Sequence, residues 1–271
     1  MDYVMLNQHR NSTLGSCAKP YDIVYLVLNN ILLFLSFPST ILVIWKLLSR
    51  FYKTGRFIPA EIFLLQINFI NICVFISQLL IFQDILHAGF FSNNLYMVLY
   101  SPSLTARPIF SLAICVIFYL AIVHPVTYMT TKTLHHWEWL VTALIWLYAL
   151  AINLAIIFYK LDIFQPIFML VLSSIMFPCV FFYIEKLRVL FCSRQTLNPV
   201  KRKAIRLILA TLIVLFFCYI PRLYFLIYLH LAPNDWHRFL CTEGLVFMML
   251  SKFSEVAMPV IFLYSLRRLD V

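Results

Sequence analysis

The feature that most constrains this chain is a series of long apolar runs separated by short polar stretches. An α-helix needs about 20 consecutive apolar residues to cross the hydrocarbon core of a bilayer. Of the 271 residues, 63% are hydrophobic and only 12% are charged. Soluble domains are typically about half apolar and a quarter charged, so a single core could not bury this excess. Lipid is therefore the predicted solvent for much of the surface.

We expect these runs to be helices rather than strands of a membrane β-barrel. The chain has only 4 glycines, and no strand-like alternation with turn signals recurs along it. A helix satisfies all its backbone groups internally, as lipid requires. Seven spans are predicted, at residues 23–48, 61–82, 95–123, 139–159, 163–183, 207–230 and 244–266. The third run is interrupted by Arg107 and Pro108.

The predicted fold is an all-α membrane protein, a seven-transmembrane helix bundle at residues 23–266. A tail of residues 1–22 precedes the bundle, and a short tail of residues 267–271 follows it. No signal peptide is recognised in the polar first residues, so we expect the first span to act as an uncleaved signal anchor. With the N-terminus outside, fourteen lysines and arginines of the loops and tails lie inside and four lie outside. This bias predicts an extracellular N-terminal tail and a cytoplasmic C-terminal tail.

The predicted outer surface carries a glycosylation sequon at Asn11 and two cysteines, Cys17 and Cys241. Because that compartment is oxidising, we predict a disulfide between Cys17 and Cys241, with two free thiols as the alternative. Cysteines within predicted spans are expected to be apolar packing residues. They are Cys73, Cys115, Cys179 and Cys218.

Several motifs resemble those of rhodopsin-like G-protein-coupled receptors, and they occur in the family's order along the whole chain. Residues 119–126, with the sequence YLAIVHPV, are similar to the inner end of the family's third helix, where an acidic residue, arginine and tyrosine precede such a run. Further resemblances to conserved helix positions of the family are Trp146, Pro178, the segment 217–221 ending at Pro221, and the segment 258–262 containing Met258, Pro259 and Phe262.

The chain also departs from the family at positions that matter for signalling. The triad reads Ile117, Phe118 and Tyr119, so its acid and arginine are both absent. In the family that arginine meets the G protein. Thr40 stands where the first-helix asparagine is expected, and Asn71 where the second-helix aspartate is expected. The resemblance therefore indicates a divergent receptor with a rewritten or lost switch.

What the resemblance implies is a plasma-membrane receptor that binds an extracellular small molecule or peptide and signals to a heterotrimeric G protein. Helix motion would be hinged at Pro221 and Pro259. Membrane lipid is an expected partner, and the basic third inner loop would contact a G protein or anionic lipid. No cofactor is implied.

Two buried charges are expected to form an ion pair. Arg107 lies at mid-depth of the third span, and Glu255 lies four residues before Pro259. Charges inside a membrane are costly, so they should face the interior and find partners. We predict an Arg107–Glu255 ion pair near Asn71, replacing the sodium site that the resemblance implies. The pair would be either part of the switch or purely structural.

Two further intramembrane cations are candidates for ligand binding. Arg222 and Lys252 fall where the resemblance places the outward-opening ligand pocket, and together they would suit a carboxylate or phosphate on a small ligand. Aromatic side chains expected to line that pocket are Tyr219, Tyr224 and Tyr228. The alternative is that Lys252 extends toward the membrane surface and Arg222 is structural. Lys252 also occupies the retinal-binding position of opsins, but the third span offers no carboxylate counter-ion.

Other classes of function have less support in the sequence. No catalytic constellation predicts an enzyme, and no metal site is predicted. The net charge of +10 lies beside the apolar runs, which favours membrane orientation over nucleic-acid binding. Two alternatives stay open: a non-coupling or decoy receptor of the same fold, and a small membrane transporter, which would share broken helices and buried charges.

Overall fold

The protein is described here by a computed structural model covering residues 20–55, 57–87, 93–123, 137–159, 175 and 177–189, and the separate residues 212–214, 216, 220, 221, 224, 227, 228, 231, 246, 250, 252, 253 and 256–261. Every described residue other than 55, 57 and 58 is helical, and none of them lies in a strand. The helices are α1 (Pro20–Thr54), α2 (Pro59–His87), α3 (Asn93–Val123) and α4 (Trp137–Tyr159). A further helical segment, α5, covers residues 177–189.

The first four predicted spans are confirmed as helices long and apolar enough to cross a membrane. The third is one helix, which continues through Arg107 and Pro108 instead of being interrupted there. A proline removes one backbone hydrogen bond, and neighbouring helices can compensate for that loss in a membrane bundle. Helix α1 likewise continues through Pro38, and the nearby Ser36 and Ser39 hydroxyls donate to the carbonyls of Leu33 and Ser36 at 3.0 and 2.7 Å.

The connection between α1 and α2 shows how the sequence ends one helix and starts the next. Gly55 has a φ of 68° and its N–H donates to the Phe51 carbonyl at 2.8 Å, which is a left-handed helix cap. Pro59 opens α2 at a position where its missing N–H costs nothing. A carboxylate oxygen of Glu61 then accepts the Ile58 N–H at 2.9 Å.

Among the first four helices, α2 packs against α1, α3 and α4, and α3 packs against α2 and α4. These two helices are therefore central. In the apolar stretch that could span a membrane, 56% of the residues of α2 and 53% of those of α3 are buried. The corresponding shares are 28% for α1 and 22% for α4. The core is formed by Val43, Leu47, Phe63, Leu64, Ile67, Ile70, Val74, Tyr100, Ala106, Phe110, Ile114, Ile117, Ile145 and Ala149. The exposed apolar faces of α1 and α4 are what a helix presents to lipid.

Three interhelical polar contacts join α1 to α2 along their length. Arg50 Nη1 lies 2.7 Å from Glu61 Oε1, Asn71 Nδ2 donates to Thr40 Oγ1 at 3.4 Å, and Asn29 Nδ2 donates to Gln78 Oε1 at 2.8 Å. On α4, Trp146 Nε1 donates to Gln66 Oε1 of α2 at 3.0 Å. The polar residues of α2 therefore fix its position against two neighbours.

The segment α5 continues beyond the end of the fifth predicted span. That span was expected to end at Tyr183, with Lys186 and Arg188 in an inner loop, but both lie on the helix, which reaches residue 189. The prediction was wrong on this point because Lys186 is held inside the bundle, with aromatic rings beside its ammonium group. A lysine that is packed in this way does not mark the end of a helix.

Candidate functional site: three buried polar clusters

Polar side chains meet inside the bundle at three places, each of which contains a buried cation. We call them the Arg107 cluster (Arg107, Asn71 and Thr40), the Lys252 cluster (Lys252, Asn29, Gln78 and Tyr100) and the Lys186 cluster (Lys186, Phe118, Tyr183, Cys115 and Cys179). Buried polar groups are costly unless hydrogen-bonded, and buried charges more so. Such clusters are the natural places to look for function.

The Arg107 cluster joins three helices at mid-depth. Arg107 Nη2 donates to Asn71 Oδ1, and the amide nitrogen of Asn71 donates to the Thr40 hydroxyl at 3.4 Å. All three side chains are buried. Arg107 thus lies against Asn71, where its predicted ion pair was expected. Glu255 lies outside the described residues, so the Arg107–Glu255 pair stays a prediction.

The Lys252 cluster connects the seventh predicted span to the first three helices. Lys252 Nζ donates to Asn29 Oδ1 at 2.7 Å. The amide nitrogen of Asn29, Nδ2, donates in turn to Gln78 Oε1 at 2.8 Å. The ammonium group also lies 5.8 Å from the ring centroid of Tyr100, within the range of a cation–π contact. The sequence singled out Lys252 but missed Asn29 and Gln78. The sequence signal that could have identified both residues was an amide side chain within an apolar run.

Breaking the Asn29–Gln78 contact should measurably destabilise the bundle. In Gln78→Met the Asn29 amide loses its acceptor inside the protein, and a buried unsatisfied donor costs about 1–3 kcal/mol. Thermal unfolding of the purified protein should therefore shift down by several degrees. The matched control is Ile76→Met, which changes an exposed side chain of the same helix and should leave the melting temperature unchanged. Equal melting temperatures for the two variants would contradict this contact.

The described tyrosines among the predicted ligand-binding residues are more exposed than Lys252. Tyr224 is 45% exposed, Tyr228 is half-buried, and their ring centroids are 6.5 Å apart. Lys252 is 6% exposed, so its ammonium group is inside the bundle rather than extended toward a membrane surface. Arg222 and Tyr219 lie outside the described residues. The structure therefore assigns Lys252 buried partners on α1 and α3, whereas the two described tyrosines are more open.

The Lys186 cluster lies between α5 and the C-terminal part of α3. Lys186 is fully buried at 0% exposure, and its Nζ is 4.2 Å from the ring centroid of Tyr183 and 5.9 Å from that of Phe118. Among the described residues Nζ has no hydrogen-bond partner. Cys115 and Cys179 are buried free thiols that interact with each other and lie near enough to Lys186 to sense its charge.

The three triad positions have different environments. Ile117 is 3% exposed and belongs to the hydrophobic core, whereas Phe118 is 39% exposed. Tyr119 is half-buried, and its ring centroid lies 4.9 Å from that of Phe182 on α5. An isoleucine in the first position fits this core, where a carboxylate would need a partner.

The predicted hinge residues are partly described. Pro221 and Pro259 are buried, and Met258 is half-buried. Phe262 lies outside the described residues, as do Asn11, Cys17 and Cys241, so the predicted glycosylation site and disulfide stay predictions.

The three clusters provide fixed charges at different depths of one helix bundle, each bridging at least two helices. Such contacts can hold helices in one arrangement and exchange partners in another. No model of a known protein family matches the chain, and no curated protein matches its sequence.

Proposed function

We propose that this protein is a divergent rhodopsin-like receptor of the plasma membrane, with seven spans and an extracellular N-terminus. The observation that carries the proposal is the Arg107 cluster. The resemblance marks Thr40 and Asn71 as substituted family positions on two different helices, and these two side chains are in contact. Arg107, which the sequence placed at the same depth, completes the contact.

The helix arrangement is compatible with this proposal. Four helices have the length and composition to cross a membrane, and α5 follows them. The described residues between 212 and 231 and between 246 and 261 are all helical, which agrees with the sixth and seventh predicted spans. With the N-terminus outside, the Lys252 cluster lies toward the outer side, and the Lys186 cluster lies toward the cytoplasm.

In the proposed mechanism the ligand enters from outside near Lys252 and carries a carboxylate or phosphate. Such an anion would compete with Asn29 for the Lys252 ammonium group, because it adds the attraction between opposite charges to the hydrogen bond, which a neutral amide does not. Loss of the Lys252–Asn29 contact would free the seventh helix from α1. Motion hinged at Pro221 and Pro259 would then open the cytoplasmic side to a G protein.

A non-coupling receptor of the same fold is the second candidate. It is favoured by the environment of the triad, because Ile117 is packed in the core and Phe118 provides no cation. A receptor that keeps its scaffold but lacks these groups would act as a ligand sink or as a dimer partner.

Nucleotide exchange on a panel of G proteins tests the two candidates. We expect membranes that hold the unmodified chain to raise exchange above mock membranes, because the buried cations provide a rewritten switch. A parallel sample carries Ile117→Glu and Phe118→Arg, which restore the family triad. If only the repaired chain is active, the scaffold has lost coupling and the non-coupling receptor is favoured. If both are silent on the whole panel, the receptor proposal fails, and substrate uptake into vesicles becomes the next measurement.

A further inference from the structure

Lys186 is unusual even among the buried cations of this protein. Arg107 and Lys252 each donate a hydrogen bond to an asparagine oxygen. Lys186 is fully buried, yet among the described residues its Nζ has no hydrogen-bond partner. An ammonium group offers three donors, and each is satisfied when water can reach it. In the structure α3 and α5 are in contact, which we call the closed arrangement, and all three donors are removed from water.

The surroundings of Lys186 compensate for this loss only in part. The rings of Tyr183 and Phe118 attract a cation, at 4.2 and 5.9 Å, but the second distance is at the limit of the cation–π range. Among the described residues, the thiols of Cys115 and Cys179 also lie near Lys186, and thiols are weak hydrogen-bond acceptors. Dehydrating an ammonium group costs more than contacts of this kind return. The closed arrangement therefore holds Lys186 in an unfavourable environment.

The Lys186 ammonium group lies near the position of the missing triad arginine. Phe118 occupies the arginine position on α3, and the cation lies next to it on α5 instead. Phe118 is 39% exposed, so an arginine there would extend out of the core, whereas Lys186 is fully buried. A cation on α5 instead of α3 is therefore buried in the closed state, and it favours an open state in which water can reach it.

We propose that Lys186 is a positioning residue that drives α3 and α5 apart at the cytoplasmic end, because separation exposes its ammonium group to water and to acidic groups of a cytoplasmic partner. The inference rests on the proposed function for the sidedness and for the role of opening in signalling. The opening itself is inferred from the burial and the contacts of Lys186.

Thiol labelling of the full chain in phosphatidylcholine nanodiscs measures this opening directly. Cys115 on α3 and Cys179 on α5 are each 1% exposed and interact with each other, so we expect N-ethylmaleimide to reach them when α3 and α5 separate. Mass spectrometry follows each cysteine separately in the unmodified chain and in Lys186→Met, which keeps the length of the side chain and removes its charge. The control variant is Lys53→Met, which removes an exposed cation at the same end of the bundle. Half-buried Cys73 on α2 is the internal standard.

We expect labelling of Cys115 and Cys179 to slow by about tenfold or more in Lys186→Met, since the closed state no longer contains an unsatisfied ammonium group. The melting temperature should rise by a few degrees. Cys73 should react at its usual rate, and Lys53→Met should resemble the unmodified chain.

Labelling that is unchanged or faster in Lys186→Met would overturn the inference, and faster labelling would mean that the contact of Lys186 with Phe118 holds the two helices together. Basal nucleotide exchange in the same nanodiscs separates this inference from the proposed function. Slowed labelling without exchange from the unmodified chain on any G protein means that coupling is absent, while the role of Lys186 in opening stands. Slowed labelling accompanied by lower exchange supports both.

Discussion

Replacing Asn71 with leucine is expected to reduce the folded protein at the cell surface severely. The Asn71 oxygen accepts a hydrogen bond from the buried Arg107 guanidinium group, and its nitrogen donates to Thr40. Leucine fills a similar volume but removes an acceptor from a buried cation, which costs about 2–4 kcal/mol. Natural proteins have a free energy of unfolding of only about 5–15 kcal/mol, so this is a large fraction of the whole.

The matched variant is Asn71→Asp, which keeps the shape and adds a carboxylate opposite Arg107. The Asn71 amide accepts a hydrogen bond from an ionised donor as a neutral group, whereas a carboxylate adds the attraction between opposite charges. Surface expression of Asn71→Asp should therefore equal or exceed that of the unmodified chain, and its thermal unfolding should occur at the same or a higher temperature. Asn71→Leu with unchanged expression and unfolding would show that Asn71 contributes nothing to holding Arg107.

Reversing the charge of Arg107 or of Glu255 alone is expected to destabilise the protein by about 3–5 kcal/mol, because either change places two like charges where a pair is predicted. The double variant, Arg107→Glu with Glu255→Arg, should recover much of this loss. The measurement is the amount of folded protein and its melting temperature in a double-mutant cycle. A double variant that expresses no better than either single variant would refute the pair.

The chain offers an internal control for this charge reversal. Arg188 and Glu185 lie one turn apart on α5, with Nη1 and Oε1 at 3.4 Å and the arginine side chain 72% exposed. Exposed pairs of this kind contribute about 0–1 kcal/mol, because water screens them and the side chains lose freedom. The corresponding double reversal at Arg188 and Glu185 should have little effect in the single or the double variant. A large effect there would indicate that charge reversal harms expression for reasons unrelated to pairing.

The helices could be predicted from the sequence because hydropathy and length are local properties. Each of the first four apolar runs became a helix, and Arg107 was recognised as a cation that must face inward. The continuation of α5 past Tyr183 could not be predicted in this way. Lysine is strongly hydrophilic, so hydropathy places Lys186 in a loop. Its contacts with the rings of Tyr183 and Phe118, which explain why the helix continues, are visible only in the structure.

The polar contacts were also out of reach of the sequence. Lys252 and Asn29 are separated by 223 positions, and nothing in either segment specifies the other. An amide within an apolar run indicates that a partner is needed, because lipid offers none. Which of several candidate partners it meets depends on the rotation and depth of each helix. Those quantities arise from the packing of side chains such as Phe63 and Phe110, whose ring centroids are 6.1 Å apart in the core.

The contacts between α1 and α2 have a consequence for how the protein is made. Ten positions separate Arg50 from Thr40 on α1, and ten separate Glu61 from Asn71 on α2, so two contacts recur at matching intervals of about 15 Å along an antiparallel hairpin. Asn29 and Gln78 add a third contact nearer the other end. During synthesis α1 and α2 are complete before α3 exists. The hairpin can therefore satisfy Glu61, Asn71 and Gln78 as soon as it enters the membrane, and the later helices assemble onto a unit that is already paired.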